Sequence, residues 1–148
     1  MNTAQAIGSG VAGAVVLTAL HESIKQIAPN APRMDHIGMQ IVKKAKDTAG
    51  KDNNDKSTLY DQALAGDLVA NSLLYSIVGA GERNSWLRGL IVGAGAGIAA
   101  VVLPQLLPVD EDASSRNIST AAMTIGVYAL AGLAAAGMKE LFRNAKYS

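Results

Sequence analysis

Long stretches of this chain carry no charge, and that limits what it can fold into more than any other feature. The first 20 residues contain no Asp, Glu, Lys or Arg. Uncharged runs of 14, 21 and 22 residues then separate Asp67 from Glu82, Arg88 from Asp110 and Arg116 from Lys139. A helix in water needs a polar face on every turn or two, and the two longest runs offer none. Crossing a hydrocarbon core of about 30 Å takes roughly 20 helical residues. The sequence therefore predicts an all-α membrane bundle of four transmembrane helices, near 3–28, 59–80, 86–107 and 118–142, in a single domain over residues 1–148. A soluble bundle of this size could not hide helices that are apolar all round.

The N-terminal segment lacks the basic region of a signal peptide, and no small-x-small cleavage site follows it, so an uncleaved helix is expected. Thr58-Leu59-Tyr60-Asp61 reads as a capping box opening the second span. Gly81 is a candidate C-cap and Ser85 a candidate N-cap around a tight turn at Glu82-Arg83-Asn84, which predicts an antiparallel hairpin of spans two and three. Pro108 closes the third span, and residues 110–115 read as a solvated acidic loop. Tyr60 and Trp86 open spans two and three, with Phe142 and Tyr147 at the far end of the fourth, where interfacial anchors belong.

The first connection is long and patterned. Met34, Ile37, Gly38, Ile41, Val42 and Ala45 recur at helical spacing, while Asp35, Gln40, Lys43, Lys44 and Lys46 take the other side. That predicts an amphipathic loop helix over 34–49, lying on a membrane surface or on the end of the bundle. Lys51 to Lys56 reads as a polar linker. Eight basic residues fall on this side of the bundle against five on the other, so the positive-inside rule leans toward both termini outside.

The 13 basic and 12 acidic residues leave a net charge of +1, which excludes a polybasic nucleic-acid partner. With no cysteine, thiolate chemistry and disulfides are excluded as well. Gly8-Ser9-Gly10-Val11-Ala12-Gly13 spells GxGxxG but has no strand before it, so no dinucleotide site is expected. His21-Glu22 followed by Lys25 is not a zincin motif. His21, Asp35 and His36 could donate to a metal only if the fold gathered them. No cofactor, metal or catalytic residue is therefore expected.

Two features remain. Gly89, Gly93 and Gly97 form a glycine-zipper pattern on one face of the third span, where small residues let helices approach closely. They serve packing within the chain or self-association. Asp67 lies at membrane depth, with Asn71 a turn further on. An ionisable group there normally faces the bundle or a wet cavity and has a partner. Span directions place it in the membrane half that holds His21, Glu22 and Lys25, and His21 and Lys25 are the expected partners. Gln105, Thr120 and Thr124 fall in the same half.

Leu20-His21-Glu22, Asn30-Ala31-Pro32-Arg33-Met34-Asp35 and Gly66-Asp67-Leu68-Val69-Ala70-Asn71-Ser72-Leu73 together resemble a group of short bacterial multi-pass membrane proteins with no assigned function. The resemblance implies a bacterial cytoplasmic membrane and carries no activity. The leading expectation is a non-enzymatic membrane protein that acts through helix packing, in the lipid bilayer, as a homo-oligomer or a subunit of a larger complex. The alternatives are a minimal ion, proton or small-solute channel or transporter with a polar vestibule around Asp67, and an intramembrane enzyme or metal-site protein. In either case the charge-free runs predict that the protein stays with membranes through alkaline carbonate washing. Release by carbonate alone would rule out the spans.

Overall fold

The computed structural model describes residues 3–51, 55–81, 84–109 and 112–145. Most of these are helical, with no strand among them. The helices are α1 (Thr3–Ile27), α2 (Met34–Thr48), α3 (Lys56–Ala80), α4 (Ser85–Leu106), α5 (Asp112–Ser115) and α6 (Ile118–Ala145). Four of them, α1, α3, α4 and α6, are long and apolar enough to cross a membrane. They point to an integral membrane helical bundle.

The ends depart from the sequence reading where capping is concerned. The N-cap of α3 is Asp55 rather than Thr58, so the helix starts at Lys56. The Asp55 carboxylate accepts from the Thr58 N–H at 3.2 Å, which satisfies one of the orphan amides of the first turn. Asn84, in the left-handed conformation at φ 43°, caps α4 in place of Ser85 and accepts from the Leu87 N–H. Ser85 is instead the first helical residue, and its hydroxyl donates to Glu140. Gly81 follows α3 as its C-cap in an extended conformation. The part of the acidic loop that is described is a short helix, α5, with Ala113 and Ser114 buried. Glu82 and Arg83 of the tight turn, Asp110 and Glu111, Asp52 to Asn54 of the linker, and Tyr147 lie outside the described residues.

The main packing pairs are α4 with α6 and α1 with α3, and α1 against α6 joins them. The hairpin neighbours α3 and α4 touch far less, because each has a small-residue face turned to another partner. A Cβ on Gly79 of α3 would stand 2.7 Å from the Ala6 Cα of α1. One on Gly13 of α1 would stand 3.0 Å from the Tyr75 ring and from the Ala131 carbonyl oxygen. In α4, a Cβ on Gly93 would stand 2.8 Å from the Ala129 Cα, and one on Gly97 would stand 2.6 Å from the Ile125 Cα. Gly89 meets the Gly132 backbone in the same way. All three glycines of the α4 stripe therefore lie against α6 of the same chain. Leu17, Tyr75, Val78, Val127, Tyr128 and Ala131 close the centre, where the Tyr75 hydroxyl donates to the Tyr128 carbonyl at 2.9 Å. Outward positions such as Val69, Leu73, Ile91, Ile98 and Leu141 are exposed, as lipid contact requires.

Gly93→Leu should force α4 from α6 and destabilise the protein by about 1–3 kcal/mol through overpacking. Gly95 has open space around it, so Gly95→Leu should be tolerated. Comparing the two in reversible detergent unfolding tests the contact. Equal effects would show that α4 does not use this stripe.

Candidate functional site

The close backbone contacts of α1 are made by Ala6, Gly10 and Gly13. Beyond them its inward residues become larger and polar: Thr18, His21, Glu22 and Lys25. Here α2 packs along the first turns of α3, with Ile37 buried and a Cβ at Gly38 only 3.1 Å from the Ala63 Cβ. A cavity of about 190 Å³ remains between α1, α2 and α3. From α1 it is lined by Thr18, His21, Glu22 and Lys25, and from α3 by Tyr60, Ala63, Leu64 and Asp67. Pro32, Met34, Asp35, Ile37, Gly38 and Ile41 supply the wall on the α2 side. Leu17 and Tyr75 are fully buried in the hydrophobic core and do not line the cavity.

The structure thus brings His21, Glu22, Lys25 and Asp67 to one cavity. Asn71 sits behind it, buried, and donates to the Asp67 carboxylate and to the Asp67 carbonyl, each at 2.9 Å. The expected tie from Asp67 to His21 or Lys25 is not formed. Among the described residues Lys25 pairs with Glu22 at 2.7 Å and with Asp35 at 3.3 Å, and Arg33 also holds Asp35 at 3.3 Å. Glu22 further accepts from the Tyr60 hydroxyl at 3.2 Å. The competitor was Asp35, which only the docking of α2 brings within reach of α1. The pattern around 34–45 signals a helix there but says nothing about which span it meets.

His21 is 7% exposed, its ring edge-on to Tyr128 at 5.7 Å between centroids. Its Nε2 and the Thr18 hydroxyl are buried without a hydrogen-bond partner. Buried polar groups normally find partners, and both of these belong to residues that line the cavity. The other polar residues of this half are satisfied elsewhere. Thr120 donates to the Asn30 carbonyl, Thr124 bonds the Ser114 and Thr120 carbonyls, and Gln105 reaches Val101 within its own helix. No group of three His, Asp or Glu side chains able to hold a metal occurs among the described residues. Comparison with protein-family models, curated proteins and solved structures finds no match.

Burial alone would raise the Asp35 carboxyl. Hydrogen bonds from Arg33 and the charge of Lys25 outweigh it and hold Asp35 below the usual carboxylate range. A group whose folded value is lowered stabilises the fold fully above its unfolded value, about 3.9 for Asp, and loses that contribution as pH falls through the folded value. Asp35→Asn should therefore destabilise by about 1–2 kcal/mol at neutral pH, typical of hydrogen bonds to a charged group. The gap from the parent protein should close as pH drops below about 4. Paired unfolding curves across that range check it, and a gap independent of pH would mean that Asp35 acts by shape alone.

Proposed function

We propose that this chain is a small carrier of the bacterial cytoplasmic membrane that binds a cation or a small protonatable solute in the cavity around Asp67. One observation carries the reading. Asp67 lies about halfway along α3 and lines the cavity, and its only hydrogen-bond partner among the described residues is a neutral amide. A carboxylate at such depth is costly unless a counter-charge or water reaches it. Every other charged group on the cavity wall is already in an ion pair.

The cavity lies between α1, α2 and α3, apart from the packed core of Leu17, Tyr75 and Val78, which favours one-sided access over a continuous pore, hence a carrier rather than a channel. Function through helix packing is less well supported. Gly89, Gly93 and Gly97, the stripe best suited to a second copy, are covered by α6, so an oligomer or accessory complex would need another face.

The test is uptake into proteoliposomes. Asp67→Asn keeps the shape and most of the hydrogen bonding, so it should leave unfolding in detergent nearly unchanged and abolish Asp67-dependent cation flux. A variant that loses stability while the parent shows no flux would make Asp67 a structural tie and remove the carrier reading.

A further inference from the structure

The carrier reading leaves the ligand open, and the cavity wall narrows it. A bare metal ion needs several oxygen or nitrogen donors to replace its hydration shell. Here Asp67 offers one carboxylate, and among the described residues no group of three acidic or histidine side chains is placed to hold a metal. Most of the remaining wall is apolar: Ile37, Ile41, Ala63 and Leu64. Summed over Glu22, Lys25, Asp35, Arg33 and Asp67, the local charge is negative, and the surplus carboxylate is Asp67. His21, more than nine-tenths buried, and Thr18 share the cavity wall with it. A cavity of about 150 Å³ lined by aliphatic side chains accepts benzene, so about 190 Å³ holds a ring of six carbons with a polar substituent.

Building on the carrier reading, we propose that the ligand is a small organic ammonium ion whose charged head meets Asp67 and whose apolar body lies against Ile37, Ile41 and Leu64. The ammonium supplies the missing counter-charge and donors that the Asp67 carboxylate can accept. The apolar body fills the part of the wall that a hydrated metal ion would leave unmatched. An anion without an ammonium group fits less well, because its negative charge would meet the unpaired Asp67.

The test is equilibrium binding of radiolabelled cyclohexylammonium to the full chain in phosphatidylcholine nanodiscs at neutral pH. Saturable binding is expected, weakened about tenfold or more by Asp67→Asn, as loss of one charge-assisted contact implies. Cyclohexanol, which has the same ring without the charge, should compete weakly, and sodium in large excess should not displace the ligand. Ile41→Trp leaves Asp67 in place and fills the apolar side. It should weaken cyclohexylammonium while sparing methylammonium, which keeps the proposal testable if Asp67→Asn fails to fold. Competition by phosphatidylethanolamine added to the discs would assign the ammonium to a lipid headgroup, and its absence to a free amine. Either outcome supports the class. If sodium displaces the ligand readily and its own binding needs Asp67, the organic-cation assignment is overturned while the vestibule stands. If no cation binds in an Asp67-dependent manner, both fall.

Discussion

Close backbone approach between helices is the interaction on which the rest of this structure depends. In a bilayer, lipid tails are as apolar as leucine, so burying aliphatic side chains gives little drive to associate. What remains is dispersion between well-fitted surfaces and the occasional polar contact. Small residues set how closely those surfaces can meet. Gly10 and Gly13 of α1, Gly79 of α3, and Gly89, Gly93 and Gly97 of α4 each sit where a Cβ would run into a neighbouring helix. That distribution explains why α3 and α4 are joined by a short connection yet pair chiefly with α1 and α6.

The same distribution accounts for the cavity. Along α1 the small inward residues stop at Ala14, and Leu17, Thr18 and His21 follow. Close contact is possible up to that point and not beyond it. At this C-terminal end of α1 the space between the spans is covered from outside by α2, which packs on Leu59 and Ala63 of α3. The segment between α1 and α2 is held in turn by α5 and α6: the Arg33 N–H donates to the Ala113 carbonyl at 2.6 Å, and Arg116 donates to the Pro29 carbonyl at 3.1 Å. The pocket lined by Asp67 therefore arises from where the glycines end and from how a loop helix is tethered.

Much of the fold could be read in the chain because charge is so costly in hydrocarbon. The third and fourth spans begin within a few residues of Arg88 and Arg116, and the second ends just before Glu82, whereas Asp67 lies well inside the second. The caps were less legible. Asp55 and Thr58 are both good capping residues three positions apart, and geometry alone decides which one reaches the free amides. The glycine stripe of α4 was visible, but a stripe does not name its partner. For the site, periodicity and span direction were enough to place Asp67 in the same half as His21, Glu22 and Lys25. The pairing was not legible, because Asp35 joins from a helix whose docking depends on tertiary contacts made by Ile37 and Gly38.

The two ends of the bundle handle charge differently, and the contrast bears on what Asp67 is for. At the end away from α2, buried Lys139 donates to the Gly81 carbonyl at the C-terminus of α3, where a cation complements both the free carbonyl and the helix dipole. Beside it Glu140 is held by Ser85 and Arg143. That end is closed electrostatically by residues from three helices. At the α2 end, Lys25 is shared between Glu22 and Asp35, and Arg33 adds a second cation to Asp35. Both cations are thereby committed to other acids, and Asp67 is left with Asn71. A purely structural polar contact between α1 and α3 would be made more cheaply by two neutral side chains, since an uncharged pair avoids the desolvation cost of a lone carboxylate. Asn71 is already in place on α3 to make such a contact. An aspartate one turn before it, on a cavity wall and with no cation paired to it among the described residues, is the arrangement that the proposed carrier would require.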